Sequence, residues 1–198
     1  MRRILKKKPT SNLRRKTSKI SSTTTRNDIL VGIGGNTPDA GHRLRHAVRV
    51  LRASFDPELI AVSHFYRSEP WGVPEQPDFL NAVARLGTSL PPHDLLALLK
   101  MLETGLGRTM GPRWGPRAMD LDLLAYGSLI LKTPDLVLPH PFFLERSFAV
   151  LPAAEVWPDW IHPETGKSLS EMARTLLFST ASVRLETPDP GALMELRD

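Results

Sequence analysis

The stretch that most restricts how this chain can fold is Met119–Tyr126, Met-Asp-Leu-Asp-Leu-Leu-Ala-Tyr. Acids and apolar residues alternate at its start with a period of two, which is the period of a strand and not of a helix. Asp120 and Asp122 therefore leave the same face, their backbones about 6.6 Å apart. Met119, Leu121 and Leu123 leave the other face and are free to fill a core. Both carboxylates can lean toward a site between them.

Two anions this close repel unless a cation lies between them. Mg²⁺ suits them, because it takes oxygen ligands and commonly shares them with phosphates. The loop just upstream, Arg113-Trp114-Gly115-Pro116-Arg117, supplies two guanidinium groups. Such groups grip phosphate oxygens in bidentate fashion. Acids for metal and arginines for phosphate point to phosphoryl transfer, where positioning and charge neutralisation carry most of the catalysis. The plainer alternative is a set of surface ion pairs between Asp120, Asp122, Arg113 and Arg117.

The rest of the chain supplies a sheet for this strand. Asp28–Ile33 is an apolar run read as a buried first strand, closed by the turn Gly34-Gly35-Asn36. Residues 39–54 have helical spacing, with Leu44, Ala47, Val48 and Leu51 on one side. Leu59–Tyr66 reads as a second strand and Phe79–Leu86 as a third. Between them Arg67–Asp78 holds three prolines and a glycine, and is a loop in which Trp71 is a lid or an aromatic wall. Pro91–Gly107 is a second helix, with Pro in its first turn, a stripe of Leu95, Leu98, Leu99 and Leu102, and Gly at its end. After Met119–Tyr126, Gly127-Ser128 turns the chain into a short strand, Leu129–Leu131. Phe142–Val156 and Ser168–Leu177 read as two further helices. The order strand–helix–strand–strand–helix–strand is the split β-α-β pattern of a ferredoxin-like α+β fold. A mostly antiparallel sheet is expected, with an extra hairpin and C-terminal helices.

One pair of residues reads two ways. Asn81 shares a face with Phe79, so the pair suits a flat heterocycle or plain core packing. Lys100 and Glu103 are spaced as a solvated helical pair. His140, fixed between Pro139 and Pro141, is held in an extended loop with few conformations and reads as structural. His64 is a strand residue on a partly wet face. Any ATP site must be built without familiar loops: Gly32-x-Gly34 is followed by Thr37 where a dinucleotide fingerprint needs its third Gly, and no Walker A sequence occurs.

Composition separates the ends from the body. Residues 1–27 carry ten Lys/Arg and no acid, so residues 28–198 hold 16 basic against 21 acidic residues, a net of −5. The high pI belongs to the arm. Residues 1–27 are expected to be a disordered basic arm, able to touch nucleic acid or an anionic surface, similar to an organellar transit peptide, or simply solvated. Residues 28–185 form the one domain, and 186–198 a loose polar tail. With no cysteine, disulfides and Cys-based metal sites are excluded. No apolar run approaches the length of a membrane span.

Arg113-Trp114-Gly115-Pro116-Arg117-x-x-Asp120-Leu121-Asp122-Leu123-Leu124 resembles the signature of the 6-hydroxymethyl-7,8-dihydropterin pyrophosphokinase family. Phe65-Tyr66-Arg67-Ser68 and Gln76-Pro77-Asp78-Phe79-Leu80-Asn81 are similar to its pterin pocket. The resemblance covers roughly residues 29–160. It implies transfer of pyrophosphate from ATP to 6-hydroxymethyl-7,8-dihydropterin, a step of folate biosynthesis, with ATP as co-substrate and two Mg²⁺ ions held by Asp120 and Asp122. By the same resemblance Arg108 and Arg117 join those aspartates as catalytic groups. Glu103, Arg113, Trp114, Leu123, His140 and Arg146 serve ATP. Ser68, Trp71, Phe79, Asn81 and Phe148 hold the pterin, with Phe79 and Phe148 on its two faces. The expectation is a cytoplasmic monomer acting on small molecules, without a membrane or nucleic-acid partner. Two departures stand out: Gly35 replaces a usual Ser, and Met110 replaces a second arginine in a loop about one residue short. They leave room for a relative with altered chemistry. An RNA-binding module of the same strand order is the other alternative, set against two aspartates on a central strand and an acidic body.

Overall fold

The computed structural model describes residues 26–54, 56–70, 75–108, 115–177 and 183–186. Most of the basic arm, the loop residues Trp71, Met110, Arg113 and Trp114, and the tail beyond Glu186 lie outside the described residues. Eight strands and four helices are described: β1 Asn27–Gly35, α1 Ala40–Ala53, β2 Glu58–Val62, β3 Phe65–Ser68, β4 Phe79–Thr88, α2 Pro92–Gly105, β5 Asp120–Tyr126, β6 Leu131–Lys132, β7 Val137–Leu138, α3 Ser147–Val156, α4 Leu169–Leu177 and β8 Val183–Glu186.

The main sheet runs β5-β1-β4-β3-β8, with β2 also paired to β4. Every pairing in it is antiparallel. β1 therefore sits between β4 and β5, while β4 sits between β1 and the β2–β3 edge. That is the interleaving of two split β-α-β units expected from the order of elements.

Strand alternation divides the core in two. On one face Ile29, Val31 and Ile33 of β1 and Leu121 and Leu123 of β5 pack against Leu44, Val48 and Leu51 of α1 and Leu95 and Leu99 of α2. On the other, Leu30, Val83, Leu124 and Ala125 meet Phe143, Val150, Ala153, Trp160 and Leu169. Fully burying each large aliphatic side chain contributes about 1.5–3 kcal/mol, so helices on both faces are what hold this sheet.

Four sequence expectations are corrected. The second strand is broken into β2 and β3 at Ser63-His64. There the buried Ser63 hydroxyl accepts the Val83 N–H at 3.0 Å and donates to the His64 carbonyl at 2.7 Å, standing in for main-chain ladder groups. Leu129 and Ile130 are exposed, and the short strand is β6, paired with β7 and separate from the main sheet. The third helix begins only at Ser147, because residues 141–145 make successive turns that drive Phe143 fully into the core. The C-terminal strand β8 lies along β3, with Ser68 opposite Val183 and with Glu186, assigned from sequence to the tail, opposite Phe65.

Candidate active site

The register explains why a cleft exists. Gly32 stands between Val83 and Asp122, and Gly34 between Asn81 and Asp120. A Cβ at Gly34 would sit 3.2 Å from the Asn81 amide oxygen. Side chains on this row of β1 would fill the trough that the glycines leave. Helix α3 covers the same face only from Ser147 onward. The remaining cleft encloses about 980 Å³, its open mouth included, with Ser68, Phe79, Asn81, Arg117, Asp120, Asp122, Leu124, His140, Arg146 and Phe148 among its walls. Gly35 has no room for a larger residue: a Cβ there would meet the Ala118 carbonyl oxygen at 2.9 Å.

One end of the cleft is ionic. Asp120 receives Arg108 Nη1 at 3.0 Å and the Arg117 guanidinium as well. Asp122 has Lys100 Nζ at 3.8 Å. Behind them Glu103, its side chain 2% exposed, accepts the Leu121 N–H at 2.6 Å, Lys100 at 2.8 Å and Arg108. Carboxylate oxygens of Glu103, Asp120 and Asp122 come within 4.8 Å of one another. Burial, and then the neighbouring Asp120, push the Asp122 carboxyl up to about 6, with Lys100 and Arg117 opposing.

This donor set fits a divalent cation. It consists of carboxylate oxygens, the ligands of hard ions, and a positive charge would relieve the repulsion that raises Asp122. Asp120 and Asp122 line the cleft whereas Glu103 lies behind its wall, so the two aspartates would hold the ion. Because a ligand must be deprotonated to bind metal, Mg²⁺ affinity is expected to fall by about tenfold from pH 7 to pH 5 as Asp122 takes up its proton. Calorimetric Mg²⁺ titrations at several pH values check this, and an affinity flat across that range would contradict it.

His140 is docked by its N–H to the Leu124 carbonyl at 2.9 Å. Burial and the nearby Arg146 lower its pKa to about 4, so the ring is neutral near pH 7. Its Nδ1 accepts the Phe142 N–H at 3.3 Å, which leaves the ring proton on Nε2 as a donor. Arg146, whose guanidinium lies 5.8 Å from the centre of the Phe148 ring, lines the same wall.

The other end carries two aromatic rings and a buried amide. Phe79 and Phe148 line it, and both are half-buried. Asn81 donates to the Ser68 hydroxyl at 3.0 Å, and both are buried. That bond uses one of the amide's two N–H groups.

The structure thus gathers Ser68, Phe79, Asn81, Arg117, Asp120, Asp122, His140, Arg146 and Phe148 around one cleft. Arg108 reaches Asp120 from behind the wall. Two residues expected to serve ATP have side chains that do not line the cleft. Leu123 points its side chain into the opposite core, and Leu124 lines the cleft in its place. Glu103 is a buried brace behind the wall and does not line it. Trp71, Arg113 and Trp114 are outside the described residues. Sequence reading missed the glycine floor and the buried Asn36; the spacing Gly32-x-Gly34 on a strand was the available signal.

Carboxylates for a cation, guanidinium and imidazole for phosphates, and a separate slot for a flat ring are the needs of a two-substrate phosphotransferase, and that is the class this cleft defines. Residues 30–158 match the family model described as 7,8-dihydro-6-hydroxymethylpterin-pyrophosphokinase. A 2-amino-4-hydroxy-6-hydroxymethyldihydropteridine pyrophosphokinase of Methylorubrum extorquens is 42% identical over 66% of this chain and 83% of its own. The enzyme of that name from Synechocystis is 38% identical over 72% and 73%. The folate synthesis bifunctional protein, mitochondrial, of Pisum sativum is 35% identical over 75% of this chain but only 28% of its own length. A Plasmodium falciparum HPPK-DHPS crystal structure superposes with a TM-score of 0.65 at 12% identity, covering 78% of this chain. At that identity the likeness is one of fold, and this chain spans about two fifths (42%) of that longer one. The chain belongs to the 7,8-dihydro-6-hydroxymethylpterin-pyrophosphokinase family.

Proposed function

We propose that this chain transfers the β,γ-pyrophosphoryl group of ATP to the hydroxymethyl oxygen of 6-hydroxymethyl-7,8-dihydropterin, releasing AMP, as its family's enzymes do in folate biosynthesis. The observation that carries the reading is the single cleft joining Asp120 and Asp122 at one end to Ser68, Asn81, Phe79 and Phe148 at the other.

Asp120 and Asp122 would hold Mg²⁺, which supplies charge neutralisation along the triphosphate. Arg117 and Arg146 bind phosphate oxygens as charged donors, and His140 offers Nε2–H as a neutral one. Asn81, steadied by Ser68, presents its amide edge to the ring nitrogens and carbonyl of the pterin. Phe79 and Phe148 contribute apolar surface for the ring faces. Together they fix the hydroxymethyl oxygen toward the phosphates, so that a two-molecule reaction proceeds within one bound assembly.

Both faces of the sheet carry helices outside the cleft, which disfavours the RNA-module alternative, since that needs an open aromatic sheet face. The reading also takes the enzyme as a cytoplasmic monomer. No helix among the described residues is long and apolar enough to cross a membrane.

The test is incubation of the full chain with ATP and 6-hydroxymethyl-7,8-dihydropterin, with Mg²⁺ and with a chelator. AMP and pterin diphosphate should form in equal amounts and only with metal. Release of ADP, or no pterin-dependent AMP, would overturn the reading.

A further inference from the structure

Asn36 ends the turn after β1 and is 1% exposed, yet the reaction as described makes no use of it. Its Nδ2 donates to Gln76 Oε1 and to the Pro77 carbonyl, each at 3.2 Å. Its Oδ1 accepts the Arg117 N–H at 2.7 Å, and its own N–H donates to the Arg117 carbonyl at 2.9 Å. Gln76 and Pro77 lead into Phe79 and Asn81, the ring end of the cleft. Arg117 leads into Asp120 and Asp122, the ionic end. One buried amide is therefore bonded to both halves at once.

The amide group is planar, and its oxygen and NH₂ ends are fixed relative to each other. Seating Arg117 N–H on the oxygen dictates where both N–H bonds point. Turning the group over would set its N–H against the Arg117 N–H and its oxygen against two acceptors. Leaving such buried groups unsatisfied is costly, so the amide has one stable orientation. Gly35, packed against the Ala118 carbonyl, holds the turn close enough for this arrangement.

We propose that Asn36 is a positioning residue that couples occupation of the ionic end to the shape of the ring end. This rests on the pyrophosphokinase reading. A triphosphate that orders Arg117 orders its N–H on Oδ1, which fixes the amide and so fixes Gln76 and Pro77 for the pterin. The coupling is reciprocal: pterin must strengthen nucleotide binding by the same factor.

The experiment is calorimetry on the full chain with Mg²⁺, using an ATP analogue with a methylene between the α and β phosphorus atoms and 6-hydroxymethylpterin. Each is titrated alone and with the other saturating. The wild-type protein is expected to show a coupling factor within the usual range of about 5–150-fold. Asn36→Asp keeps the acceptor and loses both N–H donors. Gln76→Ala removes one acceptor from the loop side and leaves the buried position intact. Asn36→Asp is expected to bind each ligand alone within about 3-fold of wild type, and in both variants the coupling factor falls toward 1. Steady-state kinetics should show a raised pterin KM more than a lowered kcat.

Unchanged coupling in both variants would overturn the proposal. So would binary affinities that fall as much as the ternary ones, which is the mark of a merely structural residue. Should Asn36→Asp lose its cooperative thermal transition, Gln76→Ala alone decides. A wild-type chain that binds both ligands without coupling defeats this inference and spares the function. A wild-type chain that binds neither defeats both.

Discussion

Asp122→Ala is expected to lower kcat by on the order of 10³-fold or more, the loss typical of removing a group that stabilises transition-state charge. Its fold should survive, because the side chain lies at the cleft and makes no buried hydrogen bond of the kind that holds Glu103. Metal-free stability should even rise at neutral pH. Burial and the neighbouring Asp120 raise the folded Asp122 carboxyl from an ordinary 3.8 to about 6. An acid with a raised folded pKa contributes stability below its unfolded pKa and loses it as pH rises through the folded one. At pH 7 or above the ionised group therefore weighs against the fold. Two pKa units correspond to nearly 3 kcal/mol. Asp122 is 36% exposed, so solvent screening reduces this to about 1–2 kcal/mol. Metal-free melts of wild type and Asp122→Ala at pH 4 and at pH 7.5 check the sign: the variant should gain only at the higher pH. Near-normal turnover in the variant would sink the metal assignment, and an equal melting difference at both pH values would sink the electrostatic account.

Glu103→Ala should have the largest effect on stability, about 3–5 kcal/mol, which is the usual cost of removing one partner from a buried ionic cluster. The substitution leaves the Leu121 N–H unsatisfied in the core strand that carries both aspartates. It also strips Arg108 and Lys100 of a shared partner. A fall in Tm of roughly 10 °C or more is expected for a domain of this size. Glu103→Gln should cost clearly less, because its amide oxygen can still accept from Leu121. A fall of only a few degrees for Glu103→Ala, or equal losses in the two variants, would show that the brace does not anchor β5. Activity should drop in both, since Arg108 loses the contact that steadies it beside Asp120.

Particular residues show how far the chain could be read without its fold. The alternation through Asp120, Leu121, Asp122 and Leu123 assigned faces that the two cores respect. The stripe on α1 was legible because Leu44, Ala47, Val48 and Leu51 recur at helical spacing, and all four are buried. The break at Ser63-His64 was not legible, because it depends on a hydroxyl meeting β4 across the sheet. Nor was the start of α3, since Phe142–Arg146 has helical composition and is turned by the demand of the core for Phe143. Strand β8 escaped for a similar reason: its pairing with β3 joins positions more than a hundred residues apart.

The sequence by itself determined the alternation of elements, the acid pair on one strand face, the shared face of Phe79 and Asn81, and the family. Those are properties of local spacing and residue chemistry, which a linear reading preserves. Only the tertiary structure decided that Gly32 and Gly34 floor the cleft, that Glu103 is a brace behind it, that Leu124 lines it in place of Leu123, and that Asn36 ties its two ends together. Each of those depends on cross-strand register and burial, which are set by segments distant in the chain and leave no periodic trace in any one of them.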